Sequence, residues 1–287
     1  MYLLDNVPKK VIIIGAGRSG TNMLRDALVK LQSCDTWDCD EINYIWRYSN
    51  RSHPSDELSS VHANVKAVKY INRVFDKFAE QSKCEYIVEK TCANSLRVSF
   101  VDTVFDSAYY LNIVRDGGDV VSSAFDRWTA NVNPGYLMKK VKYVPPMDLP
   151  FYIARYASHR LQRVFREDDS LPSWGPVYTG MPDDVQNLTI PEVCALQWKN
   201  CVERSSTQLS ISKNPVLTIV YEEFVKDPRN GMQQILEFIG LSADEKSVGD
   251  AVSNISDRSV GKGGSFVSSH PQAAEIIRSV ECDLGLN

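Results

Sequence analysis

VIIIGAGRSGTNMLRDALVKL, residues 11–31, is the stretch on which the rest of the chain turns. Its apolar run Val11-Ile12-Ile13-Ile14 has the composition of a strand covered on both faces, as in a parallel sheet. Gly15-Ala16-Gly17-Arg18-Ser19-Gly20 follows, and then Leu24, Leu28 and Leu31 recur on one face of a helix expected over 19–32. A strand, a glycine-rich turn and a helix in this order make an anion site. The turn lets the backbone close around the ligand, and the helix N-terminus offers unpaired N–H groups.

Three anions compete for that loop. A dinucleotide requires a second strand ending in an acidic residue about 20 positions on. Asp40 stands at that distance, but SCDTWDC before it has no apolar run. A nucleoside triphosphate requires a lysine after the last glycine and a hydroxyl on Mg²⁺, whereas Gly20 is followed by Thr21 and Asn22. A sulfonated phosphate carries less charge and needs neither metal nor lysine. For it, Arg18, Ser19, Thr21 and Asn22 supply donors within one turn.

LNIVRDGGDVVSSAF, residues 111–125, repeats the logic. An apolar strand delivers Arg115 at its end, and the helix that follows carries Ser122 and Ser123, so that a second phosphate is gripped from two sides. Further strands are expected at 85–90, 108–116 and 216–224. Helices are expected at 61–82, 95–105, 118–128, 190–210 and 231–241. Strands alternating with helices predict an α/β fold, a parallel sheet flanked by helices. Residues 129–185, rich in proline and aromatics with a basic helix expected at 151–166, read as a helical insertion that builds a substrate cleft within a single domain spanning 1–287.

The bulk composition excludes several classes. With 43% hydrophobic and 24% charged residues and a formal net charge of −4, the chain has no general attraction for nucleic acid or anionic membranes. Seven scattered cysteines without a C-x-x-C pair, and four dispersed histidines, give neither a disulfide framework nor a zinc pattern. MYLLDNVPKK is too short and polar for a signal peptide, and no apolar run reaches membrane length. A metal-free cytoplasmic protein with reduced thiols is the expectation.

The pair GxGRSGT…VRDGxDVVSS resembles the two signature segments of sulfotransferases that use 3′-phosphoadenosine 5′-phosphosulfate (PAPS). EKT at 89–91, VYEEFVKDP at 220–228 and SVGKGGS at 259–265 resemble later family segments in the same order, so the likeness spans residues 11–265. It implies a P-loop-like sulfotransferase fold and transfer of a sulfo group to an acceptor hydroxyl, leaving adenosine 3′,5′-bisphosphate (PAP). Gly17 to Asn22 would hold the 5′-phosphosulfate, and Arg115 and Ser123 the 3′-phosphate. Tyr221 would line the nucleotide, and Lys262 and Gly263 would belong to the loop closing over it.

For the chemistry, the resemblance implies Arg18 and Lys90 as cations near the transferring group. Many cytosolic members have a histidine where this chain has Cys92, a poor base as a neutral thiol. In the tyrosylprotein branch the base is a glutamate a little over 20 residues past the loop arginine, as the family pattern has it. That position is Glu41, with Glu89 as the alternative. Gly118 stands where the family commonly has arginine, which puts one nucleotide contact in doubt. Trp128, Tyr136, Tyr152, Arg155, Tyr156, His159, Arg160, Arg163 and Trp174 suit a carbohydrate or glycolipid acceptor, or else form core and a solvated basic face. Sulfation of a tyrosine, small-molecule or lipid hydroxyl, a P-loop nucleotide kinase, and a non-catalytic nucleotide-binding module are the other readings.

Overall fold

The computed structural model describes residues 8–129, 142–152 and 174–284. Among them, β1 (Lys9–Ile14), β2 (Cys34–Asp35), β3 (Tyr86–Lys90), β4 (Tyr109–Val114) and β5 (Val216–Val220) form a parallel sheet in the order β2-β3-β1-β4-β5. Val11 of β1 lies opposite Val88 on one side and Tyr109 on the other. From β1 the chain runs out to β2, returns through β3, and then crosses to β4 and β5. The order therefore reverses beside β1, and a crevice opens at the carboxyl ends of the strands there.

Burial follows from the apolar run. Val11 and Ile13 face α1 (Thr21–Leu28), α9 (Pro228–Ile239) and α10 (Glu245–Val252) through Leu24, Leu28, Ile235 and Val248. Ile12 and Ile14 face the other way, onto α2 (Asn43–Trp46), α3 (Val65–Ser82) and α4 (Val98–Val104), packing with Trp46, Ile71, Phe75 and Phe100. A third cluster joins α5 (Gly117–Trp128), α6 (Met181–Asn187), α7 (Ile190–Leu209), α11 (Gly264–Ser269) and α12 (Pro271–Leu284) around Trp128 and Trp198. The buried face of Trp128 is thus core, not an acceptor platform.

Local boundaries depart from expectation for identifiable reasons. Helix α1 starts only at Thr21, because Arg18 and Gly20 adopt left-handed φ values of 75° and 95°. The strand expected at 216–224 stops at Val220, opposite Val114, where its partner β4 ends, and Tyr221–Lys226 continues as helix α8. The Asn64 side chain accepts from the Lys66 and Ala67 N–H groups at 3.1 and 3.0 Å, so α3 begins at Val65. A 3₁₀ turn, Cys92–Leu96, precedes α4 and takes the first part of the helix expected at 95–105. Tyr136, Arg155, Tyr156, His159, Arg160 and Arg163 lie outside the described residues, as does most of the basic helix expected at 151–166.

Candidate active site

The glycine loop curls at the carboxyl end of β1. A non-glycine residue in left-handed backbone is uncommon, and here Arg18 takes it two positions before Gly20. Gly20 has a second reason to be glycine: a Cβ there would come within 2.5 Å of the Tyr221 ring. The loop opens onto the N-terminus of α1, whose first N–H groups carry partial positive charge.

Beside it lies a cleft of about 430 Å³ whose lining includes Arg18, Gly20, Thr21, Asn22, Arg115, Ser122, Ser123, Tyr221 and Lys262, together with the acidic Asp119 and Asp126. Residues more than 200 positions apart in sequence are thereby brought onto one surface, as their assignment to one nucleotide requires. Gly17 and Ser19 do not line it. Ser19 is buried at 1% exposure, and Gly17 faces the Trp174 ring, 3.2 Å from where a Cβ would stand.

Arg115 organises the far wall. Its Nη1 donates to the Arg18 carbonyl at 3.1 Å, and its Nη2 donates to the Ser259 carbonyl at 2.5 Å and to Asp119 at 3.2 Å. The guanidinium lies 4.3 Å from the Tyr221 ring centroid, and the Tyr221 hydroxyl is 2.6 Å from Ser259 Oγ. Among the described residues the buried Arg115 Nε–H has no partner. Arg18 Nε donates to Ser123 Oγ at 2.9 Å, which leaves the serine proton available to an anion. Burial, then the like charges of Arg127 and Arg115, lower the Arg18 pKa from its ordinary value. Such mutual repulsion is relieved by a bound anion.

Sequence reasoning missed Asp119. Its carboxylate is fully buried, pairs with Arg115, and accepts from the Gly261 and Gly263 N–H groups at 2.8 and 2.7 Å. This ties the 259–264 loop to the first turn of α5. Gly263 is needed for packing, since a Cβ would come within 2.2 Å of the Gly118 carbonyl carbon. At Gly118 a Cβ would come within 3.0 Å of Val267 Cγ2, so a larger residue there would have to displace that side chain. Nothing local in GDVVSS signals a contact across 142 residues.

Next to the cleft, β3 delivers the second set. Lys90 Nζ, with its side chain 1% exposed, contacts Glu41 Oε1 at 3.1 Å and Asp40 Oδ1 at 3.2 Å. Asp40 also pairs with Arg25 at 2.9 Å. Asp40 is therefore held by two cations and does not stand at the end of a dinucleotide-binding strand. Burial opposes its charge, but Lys90 and Arg25 hold its carboxyl well below the usual range. Burial likewise opposes the Lys90 charge, but the Glu41 and Asp40 carboxylates raise its pKa above the ordinary lysine value.

Glu41 Oε1 also accepts from the Cys92 N–H at 3.2 Å, and its side chain remains 19% exposed. Burial, and then Glu41, push the Cys92 thiol upward, which keeps it neutral. Its Sγ lies 3.6 Å from Thr21 Oγ1 and so joins the two sets. Glu89, by contrast, is buried with both of its oxygens already engaged by the Thr91 hydroxyl and the Asn94 amide. Burial pushes it up to about 7, against the pull of Thr91, Trp46, Arg97 and Lys90.

Among the described residues no cluster of three or more histidine, cysteine, aspartate or glutamate side chains could hold a metal, and no helix is long and apolar enough to cross a membrane. Comparison with known proteins agrees with the geometry. Residues 8–260 match the family model for the sulfotransferase domain. No curated protein matches the chain. Sulfotransferase STF9 from Mycobacterium avium superposes with a TM-score of 0.52 at 11% identity, covering 95% of this chain and 77% of that one. The sulfotransferase domain of the Synechococcus PCC 7002 olefin synthase gives 0.48 at 16% identity, covering 95% and 88%. Mouse sulfotransferase SULT7A1, solved in complex with PAP, gives 0.43 at 13%, covering 88% and 67%. At such identity the first of these likenesses speaks for the fold alone. With a family model matched over most of its length, the chain belongs to the sulfotransferase family, enzymes that transfer a sulfo group.

Proposed function

We propose that this sulfotransferase moves the sulfo group of PAPS to a hydroxyl of a carbohydrate or glycolipid. The observation that carries the donor reading is the cleft of Arg18, Arg115, Ser123 and Lys262, with the unpartnered Arg115 Nε–H in its wall. Three groups suit the 5′-phosphosulfate: the loop amides, Thr21 and the N-terminus of α1. Arg115 and Ser123 suit the 3′-phosphate that separates PAPS from simpler adenylates, and Tyr221 the nucleotide. A triphosphate would lack its lysine clamp. The half-buried Trp174, set against Gly17, is a stacking surface suited to a sugar ring on the acceptor side. Residues 129–185 are the proposed acceptor-binding insertion of a single domain over 1–287. The scattered cysteines without a paired pattern fit a cytoplasmic setting.

In the reaction the acceptor oxygen forms a bond to sulfur while the bridging S–O bond to PAP breaks. Glu41 takes the acceptor's proton, and Arg18 and Lys90 offset charge developing on the departing oxygen. Radiolabelled PAPS incubated with a panel of glycans, glycolipids, phenols, sterols and tyrosine peptides tests the reading. Label on a glycan or glycolipid supports it, and label on phenols or tyrosine alone reassigns the acceptor. ATP–Mg²⁺ matching PAP in thermal stabilisation would remove the donor reading, since stabilisation tracks binding to the native state. Tight PAP binding with no transfer to any acceptor would leave a nucleotide-binding module.

A further inference from the structure

The segment Glu89-Lys90-Thr91-Cys92 holds Glu41 Oε1 through Lys90 Nζ and the Cys92 N–H, and its buried Glu89 carboxylate has no place in the chemistry above. Thr91 Oγ1 donates to Glu89 Oε1 at 2.5 Å and accepts from the Ile42 N–H at 3.3 Å. Asn94 Nδ2 donates to Glu89 Oε2 at 2.9 Å, while Asn94 Oδ1 accepts from Arg97 Nε at 2.8 Å. Arg97 is fully buried and fixed by a second bond, from its Nη2 to Asn43 Oδ1 at 2.6 Å. A guanidinium can only donate, so every later step has a forced direction. Asn94 must turn its oxygen to Arg97 and its NH₂ to Glu89. Ionised, as it is above pH about 7, Glu89 accepts on both oxygens. Thr91 has a single proton, and giving it to Glu89 leaves a lone pair for Ile42.

We propose that Glu89 is a positioning residue that acts through the Thr91 hydroxyl to fix the peptide carrying Glu41, in a one-way chain of hydrogen bonds from Arg97 through Asn94. The inference rests on Glu41 being the base only for its catalytic consequence. The chain itself is a claim about the Ile42 amide. The Ile42 N–H is the last link and sits immediately after Glu41, while the Glu41 carboxylate is tied to the same segment through Lys90 Nζ and the Cys92 N–H. An amide in place of the carboxylate turns a donor toward Asn94 or toward Thr91. The first sets donor against donor, and the second leaves the Thr91 proton without an acceptor at a site with 0% exposure.

Amide hydrogen exchange at Ile42, followed by NMR on the full chain, tests this without an acceptor substrate. Glu89→Gln and Thr91→Val should each speed Ile42 exchange by roughly 3- to 10-fold, as losing one ordinary hydrogen bond implies. Thr91→Ser, which keeps the hydroxyl, should stay within about twofold of wild type. Adding Asn94→Asp to Glu89→Gln should restore protection. The new carboxylate accepts from both Arg97 and the amide at 89, freeing the amide oxygen for Thr91. That rescue also keeps the test decisive where Glu89→Gln alone folds poorly, because a merely space-filling role for Glu89 gains nothing from a second substitution. With an acceptor in hand, kcat should fall and recover in parallel while PAP affinity stays level. Wild-type exchange in Glu89→Gln, or no recovery on adding Asn94→Asp, overturns the proposal. If exchange behaves as expected but no variant alters sulfotransfer, the chain of bonds stands and the assignment of Glu41 as base falls.

Discussion

Replacing Arg115 with alanine separates the two jobs that its guanidinium performs. The side chain is 8% exposed and donates to the Arg18 carbonyl, the Ser259 carbonyl and Asp119, whose own side chain is fully buried. Removing one partner of such a buried charged pair costs roughly 3–5 kcal/mol, although Asp119 keeps its two backbone donors from Gly261 and Gly263. At about 2–4 °C per kcal/mol for a chain of this size class, the melting temperature should fall by roughly 6–20 °C. A fall in PAP affinity alone would therefore be ambiguous, because a loosened 259–264 loop weakens any adenylate. The ratio of PAP to AMP affinities is not ambiguous. The two ligands differ only in the 3′-phosphate, so loop damage cancels. A charge-assisted contact to that phosphate is worth about 1.5–3 kcal/mol, which is roughly 10- to 150-fold in the ratio. Calorimetric titration of wild type and Arg115→Ala with both ligands, well below the variant's melting temperature, measures it. An unchanged ratio would refute the placement of the 3′-phosphate at Arg115 and leave the residue a purely structural role.

Three further outcomes are expected. Glu41→Gln keeps an oxygen acceptor for Lys90 and Cys92 but cannot take a proton, so kcat should drop by ~10²–10⁴-fold with PAP affinity within about twofold; near-normal turnover at saturating substrates would remove Glu41 as base. Trp37, Trp46, Trp128 and Trp198 are at most 5% exposed whereas Trp174 is half-buried beside Gly17, so a bound acceptor glycan should change the intrinsic fluorescence and Trp174→Phe should abolish that change; an identical fluorescence response in the variant would place the acceptor elsewhere. Glu89 is pushed up to about 7 by burial from 4.5, so the native state binds more protons than the unfolded one between those values and stability falls as pH rises through the window. The amount is on the order of 3 kcal/mol at about 1.4 kcal/mol per unit. Denaturant titrations of wild type and Glu89→Gln from pH 5 to 8 should diverge in slope, with the histidines common to both, and parallel curves would contradict the raised value.

What could be read from the sequence was what depends on neighbours in the chain. Val11 to Ile14, the glycines after them and the leucines of α1 are a strand, a turn and a helix for local reasons, and Arg115 at the end of β4 is placed by the strand that carries it. Glu41 and Lys90 were each named through family likeness alone, 49 positions apart, and their contact depends on the loop after β2 lying beside the end of β3. The strand expected to run to residue 224 failed because its end is set by where β4 stops, a property of the partner and not of VYEEF itself. The surroundings of Asp119 and Glu89 were not legible for a related reason. In sequence each is an acidic residue beside a cation, Glu89 next to Lys90 and Asp119 four positions after Arg115, and a local ion pair is the economical reading. In the fold each carboxylate is sealed from water, and a sealed carboxylate must find donors wherever the chain brings them. For Asp119 these are two backbone N–H groups of a loop more than 140 residues away. For Glu89 they are the Thr91 hydroxyl and an asparagine whose orientation Arg97 dictates. Burial turns both from surface charges into fixed joints, one holding the loop beside the nucleotide cleft and the other the peptide beside the base. Two carboxylates sealed from water thus hold the proposed nucleotide and acceptor sides of the cleft in register.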